Sequence, residues 1–229
     1  SQATKKDFLS RYSPPEDWDC EVIHWGVDTE MFTPSENRNK EFRSRFGCSD
    51  DDILLLAVGR LAARKGYGSL LQAFANVKSK FPNSKLVIVG RGHLRKRLLN
   101  QAQSLGISSS VYIESSMSFE ELAELFRNAD LTVYPSYYEG QGLIPLESMS
   151  SGTPVVTVNH GPLPEMVNSE VGALFDMGNI NSMSEIILKE ISDKKSLQKK
   201  GVAGRKRVLQ NFTYEIDATR FIEIYERIQ

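Results

Sequence analysis

The chain has 229 residues, 40% of them apolar and 25% charged, with 28 Lys plus Arg against 29 Asp plus Glu. A chain of that length buries about 70% of its unfolded surface, enough for one α/β domain of generous size. The near-neutral balance leaves no global positive field, which argues against nucleic acid as a partner. Only Cys20 and Cys48 are present, too few for a disulfide scaffold and too far apart for a metal knuckle, so two packed thiols in a reduced, cytoplasmic setting are expected. No run reaches the roughly 18 apolar residues of a membrane span, and the opening SQATKKDFL is not a signal peptide.

Residues 1–12 read as the end of an amphipathic helix, CEVIHW (20–25) as a lone strand, and 26–39 as polar linker with turn chemistry. A lone helix and strand cannot bury a core. Residues 1–24 are therefore expected to be the tail of a preceding domain, and 25–50 a linker and lead-in. From 53 onward strands and helices alternate. ILLLAV (53–58) is a solid apolar run of the kind a parallel strand buried on both faces requires, followed by a helix over 69–81. KLVIVG (85–90) is a second strand, and a basic helix follows from about His93 to Ser104. VYI (111–113) is a third strand, and the helix over 119–129 takes Ser118 as its N-cap. LTVYPS (131–136) is followed by a helix over 143–151, PVVTV (154–158) by a short helix near Pro164, and VGALF (171–175) by helices over 180–192, 194–210 and 214–228. This alternation predicts an α/β fold: a doubly wound, Rossmann-like parallel sheet of about six strands with helices on both faces. The sheet domain is expected over 51–212, with 213–229 packing back toward the preceding domain.

In such a sheet ligands bind beyond the carboxyl ends of the strands. Arg60, Arg64 and Lys65 follow the first strand between Gly59 and Gly66, where glycines allow close backbone approach and the cations suit a diphosphate. The plain alternative is a solvated basic loop. After the fourth strand, YYEGQGLIPLE carries Glu139 in a loop, Glu147 about a turn into the next helix, and Gly140 and Gly142 at that helix's anion-attracting start. The two carboxylates suit paired hydroxyls, as ribose and hexose offer. An anion cradle ringed by hydroxyl acceptors describes a sugar nucleotide.

The segments GRLAARKG, VGRGHLRKRL, FEELAELFRNADLTVYPSYYEGQGLIPLESMSSGTPVV and GPLPEMV resemble, in order and spacing, the C-terminal half of the retaining family 4 (group 1) glycosyltransferases of GT-B fold. HWGVDTEMFTP is similar to that family's interdomain linker. The resemblance implies that 1–24 is the tail of an N-terminal acceptor domain and 51–212 the donor-binding half. Arg60 and Lys65 match the pair on the donor diphosphate, Glu139 the acid near the transferred sugar, and Glu147 the ribose-binding Glu. Arg60, Lys65 and Glu139 form the implied catalytic set. The backbone of Gln141, Gly142 and Leu143 would face the distal phosphate and sugar, with Gly59 and Gly140 in the same loops. Ile113, Met117 and Phe119 lie where the family holds the base, and Gly90 and Gly92 would pass beneath the nucleotide. Gln141 stands where Phe is commonest in the family, and Trp25 where Asn is usual. The implied partner is a nucleotide-sugar donor such as a UDP- or GDP-sugar, with no cofactor and no metal.

Other signals are weaker. Asp50, Asp51 and Asp52 make a D-x-D string, but before the first strand, at the wrong end of the sheet for a metal site. GRGHLR lacks the third glycine of a dinucleotide fingerprint, since Arg95 replaces it. The basic stretch 194–207 is expected to be a solvated helix face, so peripheral membrane contact is not indicated. His160 reads as a turn residue on the site side of the sheet. A non-catalytic nucleotide-binding module and a hydrolase or phosphorylase of the same fold are the competing functions. The chain alone is expected to bind donor without transferring sugar.

Overall fold

The computed structural model describes residues 1–15 and 18–227. In chain order the elements are α1 (Gln2–Tyr12), α2 (Lys40–Ser44), β1 (Ile53–Val58), α3 (Tyr67–Lys80), β2 (Ser84–Val89), α4 (Arg95–Ser104), β3 (Val111–Glu114), α5 (Phe119–Asn128), β4 (Leu131–Tyr134), α6 (Leu143–Ser150), β5 (Val155–Val158), α7 (Leu163–Met166), β6 (Gly172–Phe175), α8 (Ile180–Ile191), α9 (Lys194–Asn211) and α10 (Tyr214–Arg227). The final residues of the helix expected over 214–228 and of the segment 213–229 lie outside the described residues, as do 16–17 of the segment 1–24.

All six strands are parallel in the order β3-β2-β1-β4-β5-β6. Every residue of β1, β4 and β5 is buried, because helices cover the sheet on both faces. α3 packs against α4 and α8, and α6 against α5 and α9. Right-handed crossovers carry the chain outward along one wing from β1 to β3, then back to β4 and outward along the other. The reversal leaves a crevice between β1 and β4 at the carboxyl ends. Local sequence supports the frame: α5 starts with a full capping box, Ser118 accepting from the Glu121 amide and Glu121 accepting in return from the Ser118 amide.

The first fifty residues depart from expectation. CEVIHW forms no strand, and the isolated bridge of this region pairs Val27 with Thr213. The segment has strand composition, but among the described residues it pairs with no strand of the sheet. α1 is a helix as expected, and none of its residues is fully buried among the described residues. The polar lead-in instead contains α2, capped by the Asn39 side chain, with Phe42 and Arg43 buried. Arg43 is 0% exposed. Its guanidinium donates to the carbonyls of Asn128 (2.6 Å), Ser49 (3.0 Å) and Asp52 (2.8 Å) and pairs with Asp130 at 3.3 Å. Asp130 in turn accepts from the Leu54 amide at 2.7 Å, so this cation ties the lead-in to the start of β1.

The stretch 194–207 is likewise not a purely solvated face. Lys200 turns inward to Glu190 (2.7 Å), Arg205 to the carbonyls of Thr29, Phe32 and Ser150, and Arg207 to those of Glu165 and Met166. Half-buried cations facing carbonyls make stronger bonds than neutral donors would.

Arg43→Ala should be destabilising by about 3 kcal/mol, because it removes a fully buried side chain and leaves three carbonyls without their donor, while Asp130 keeps Arg38 at 2.6 Å and the Leu54 amide at 2.7 Å. Urea unfolding would show a lowered midpoint at unchanged slope. A midpoint within experimental error of the native chain would refute the structural role.

Candidate functional site

The loop after β1 and the loop after β4 meet over the crevice. At Gly66 the backbone adopts φ 70°, and a Cβ there would lie 2.2 Å from the Pro135 carbonyl oxygen, so only glycine permits the approach. That approach delivers Lys65, at the end of a 3-10 turn over Ala63–Lys65, to Glu139. Lys65 Nζ donates to Glu139 Oε1 and, at 2.9 Å, to the Tyr134 hydroxyl, and lies 5.1 Å from the centre of the Tyr134 ring. The same Glu139 oxygen accepts from the hydroxyls of Tyr134 (2.8 Å) and Ser136. The ion pair is nearly buried, with side-chain exposures of 10% and 12%, and such a pair is tolerable only because these neutral donors share the load.

Two phenols border this pair. Burial, and then the Glu139 charge, push both Tyr134 and Tyr67 up, so both stay neutral donors. Tyr67 Oη is buried without a hydrogen-bond partner among the described residues. Arg64, grouped by sequence with the phosphate cations, braces the loops instead: its Nη1 donates to the Tyr138 carbonyl at 3.0 Å and its own carbonyl accepts from the Tyr137 amide at 2.8 Å. Arg60 is exposed, and its side chain makes no hydrogen bond or ion pair among the described residues.

Gly142, at φ 104°, is the N-cap of α6 and offers no side chain to it. The amides of Gly142, Leu143 and Ile144 have no acceptor among the described residues, so the helix start presents free N–H groups at the crevice. One turn on, Glu147 Oε2 is buried without a hydrogen-bond partner among the described residues, and burial pushes its carboxyl up to about 7. A Cβ at Gly140 would meet nothing within 4 Å among the described residues, and Gln141 is half-buried.

The remaining sequence-derived positions are spread along the β3 wing. Ile113 is buried in β3, Met117 is half-buried against the core, and Phe119 opens α5 at 67% exposure. Gly90 has a closer structural reason than the one the resemblance implies. A Cβ there would lie 1.9 Å from the Gly59 carbonyl oxygen, and one at Gly92 2.3 Å from that of Leu61, so the loops after β1 and β2 are laced backbone to backbone. His160 is exposed in a turn and lines a cleft of about 340 Å³ with Glu139, Asp7 and Arg11. Asp50, Asp51 and Asp52 lie before β1, at the opposite end of the sheet, with Asp52 accepting from the Ser49 amide at 2.6 Å.

Sequence reasoning missed Tyr134, Ser136 and Glu165. Glu165 accepts from the amides of Gln2 (2.9 Å) and Ala3 (2.7 Å) at the start of α1 and contacts His24 Nε2 at 3.1 Å. Burial works to raise its carboxyl, but the amide bonds and His24 hold it below the usual carboxylate range. Tyr134 carried a signal, a polar-tipped aromatic at the last position of a buried strand. Glu165 carried none, because its partners, two backbone amides and the His24 ring, lie more than 140 positions away.

Residues 38–207 match the family model described as glycosyl transferases group 1. The chain belongs to this family. It is 35% identical over 189 residues to a D-inositol 3-phosphate glycosyltransferase of Thermobifida fusca, covering 78% of this chain and 43% of the relative. It is 28% identical over 232 residues to a GDP-mannose-dependent phosphatidylinositol monomannoside mannosyltransferase of Mycolicibacterium smegmatis, covering 98% of this chain and 60% of the relative. The chain thus spans about half the length of these relatives. Among solved structures, Anabaena HepE in complex with UDP and glucose superposes with a TM-score of 0.89 at 23% identity, covering 99% of this chain and 62% of that one. At that identity the likeness establishes the fold: the six-stranded parallel sheet of a GT-B glycosyltransferase. No helix among the described residues is long and apolar enough to cross a membrane.

The Glu147 carboxyl, raised from 4.5 to about 7, makes stability depend on pH. Its protonated form favours the fold, so the contribution is fully present below pH 4.5 and lost as pH rises through 7, on the order of 3 kcal/mol in all. Glu147→Gln should remove this dependence and leave the unliganded chain more stable than native at pH 8. Equal urea midpoints for both proteins at pH 5 and pH 8 would contradict it.

Proposed function

We propose that the chain is the donor-binding half of a glycosyltransferase that moves a hexose-type sugar, with retention, from a nucleoside-diphosphate donor to an acceptor bound by a separate N-terminal half. The observation that carries this is the meeting of Lys65 and Glu139 across the β1–β4 crevice, beside the unpartnered amides that open α6. Cations, free amides and a carboxylate ringed by hydroxyls match the needs of a diphosphate joined to a sugar. The smegmatis relative is GDP-mannose-dependent and the Anabaena structure holds UDP and glucose, which supports a UDP- or GDP-sugar as the donor class.

Rupture of the sugar–phosphate bond builds negative charge on the leaving diphosphate and oxocarbenium character on the sugar. Arg60, free at the rim, and Lys65, once it exchanges Glu139 for phosphate oxygen, stabilise that negative charge where it develops. The amides of Gly142 and Leu143 add fixed dipoles, and Glu139 accepts from sugar hydroxyls. Glu147, one turn into α6, accepts from the ribose hydroxyls. The base lies along Ile113, Met117 and Phe119. No metal or other cofactor enters this scheme. Exposed Phe8, Tyr12 and Trp18 in the N-terminal segment, and Phe221, Ile222 and Tyr225 on α10, supply the apolar face against which the acceptor half packs.

Millimolar UDP or GDP should raise the melting temperature of this chain, and Arg60→Ala should weaken binding at least tenfold without loss of stability, since the side chain is exposed. Absence of heat and of thermal shift with UDP, GDP and ADP would end the donor assignment. In the full-length parent, Lys65→Ala and Glu139→Ala should each slow transfer by about 100-fold, on the order of 3 kcal/mol of barrier. The 229-residue chain alone should give no detectable transfer to any acceptor. Robust turnover by it would overturn the division of labour proposed.

A further inference from the structure

Gln141 and Trp25, two of the positions at which the sequence departs from the family pattern, touch each other. The Gln141 carboxamide accepts from the Trp25 amide through Oε1 at 2.8 Å and donates to the Trp25 carbonyl through Nε2 at 2.9 Å. This closes a two-bond ring of the kind neighbouring strands make. A carboxamide is suited to it, because one planar group supplies both a donor and an acceptor. Phenylalanine supplies neither, and glutamate would set a negative charge against a carbonyl oxygen. The Trp25 side chain takes no part and is 65% exposed.

The gripped residue lies where the linker is fixed to the core. At the next position, Gly26, a Cβ would stand 2.4 Å from the Thr213 carbonyl, and Val27 donates to the Phe212 carbonyl at 2.9 Å. The adjacent peptide of the donor loop is held from the same side, the Gly140 carbonyl accepting from the hydroxyls of Ser1 (3.0 Å) and Thr4 (2.9 Å).

We infer that Gln141 is a positioning residue, fastening the loop that would carry the donor's distal phosphate and sugar to the segment that joins the two halves of the enzyme. Loop and linker then move as one unit. The loop is set for a sugar conjugate when the linker is seated, and an occupied loop holds the linker in turn. This deepens the proposed donor function and rests on it, although the clasp itself can be tested without ligand.

The test uses the native chain, Gln141→Met, which keeps the length and removes both bonds, and Trp25→Ala, which keeps the backbone bonds. Amide exchange at position 25, followed by NMR, reads the clasp directly. Without ligand, Gln141→Met should accelerate that exchange at least tenfold while Trp25→Ala leaves it within about twofold. Exchange at the unprotected rate in the native chain, or equal protection in Gln141→Met, would overturn the clasp. With saturating UDP-glucose or GDP-mannose, protection at 25–27 should rise in the native chain and not in Gln141→Met. The variant should also lose about five- to tenfold in affinity for the sugar conjugate while its UMP or GMP affinity stays within twofold. An equal loss for conjugate and monophosphate, or no response of the linker to a bound conjugate, would overturn the coupling. Failure of every nucleotide to bind would instead strike the proposed donor function, leaving the ligand-free comparison to decide the clasp.

Discussion

Between β1 and β4 the crossovers depart in opposite senses, and the crevice this leaves is spanned by a nearly buried ion pair, Lys65 to Glu139. A pair in that position is weak evidence for stability, because desolvation offsets much of the attraction. Its value lies in how it is held. Glu139 keeps hydroxyl bonds from Tyr134 and Ser136, so it would not be orphaned in the proposed exchange of Lys65 to a donor phosphate. In that proposal the internal counter-charge holds the cation until a stronger anion replaces it. The contact exists because Gly66 lets one loop press against the carbonyl of Pro135 in the other. Most of the crevice geometry follows from that single close approach.

The sheet was readable from residue pattern alone because its strands are buried on both faces. ILLLAV is apolar throughout and KLVIVG and PVVTV carry one polar residue each, and no helix of ordinary length would be bounded so tightly by glycine and proline. Each expected helix from α3 to α10 is present with its ends displaced by only a few residues. CEVIHW misled because strand composition describes a segment's tolerance for extension and says nothing of whether an edge is available. α2 escaped notice for the opposite reason: five residues give too short a window for periodicity, and its burial depends on Arg43 reaching carbonyls far away in sequence.

The site was legible in part. Arg60, Lys65, Glu139, Gly142 and Glu147 could be singled out because charge and glycine at strand ends are costly unless used, and the fold gathers them at the carboxyl ends of β1 and β4. Charge alone could not distinguish Arg64, which braces two loops, from exposed Arg60, whose side chain has no partner among the described residues. Nor could it show that Lys200, Arg205 and Arg207 face inward to a carboxylate and to carbonyls. A long side chain's direction is set by neighbours that composition does not record. The pairing of Gln141 with Trp25 was hidden in the same way, each residue visible as a departure and neither visible as a partner.

The backbone lacing of the loops after β1 and β2, through Gly59, Gly90, Leu61 and Gly92, gives that flank of the crevice a floor built from peptide rather than from side chains. Such a floor has almost no room for adaptive change, since any added carbon collides with a carbonyl that cannot rotate away. Side chains that could reshape the site without dislodging this frame are those set away from the backbone contact, such as half-buried Met117, exposed Phe119 and half-buried Gln141. Rigidity in one wall puts the burden of shape on the other.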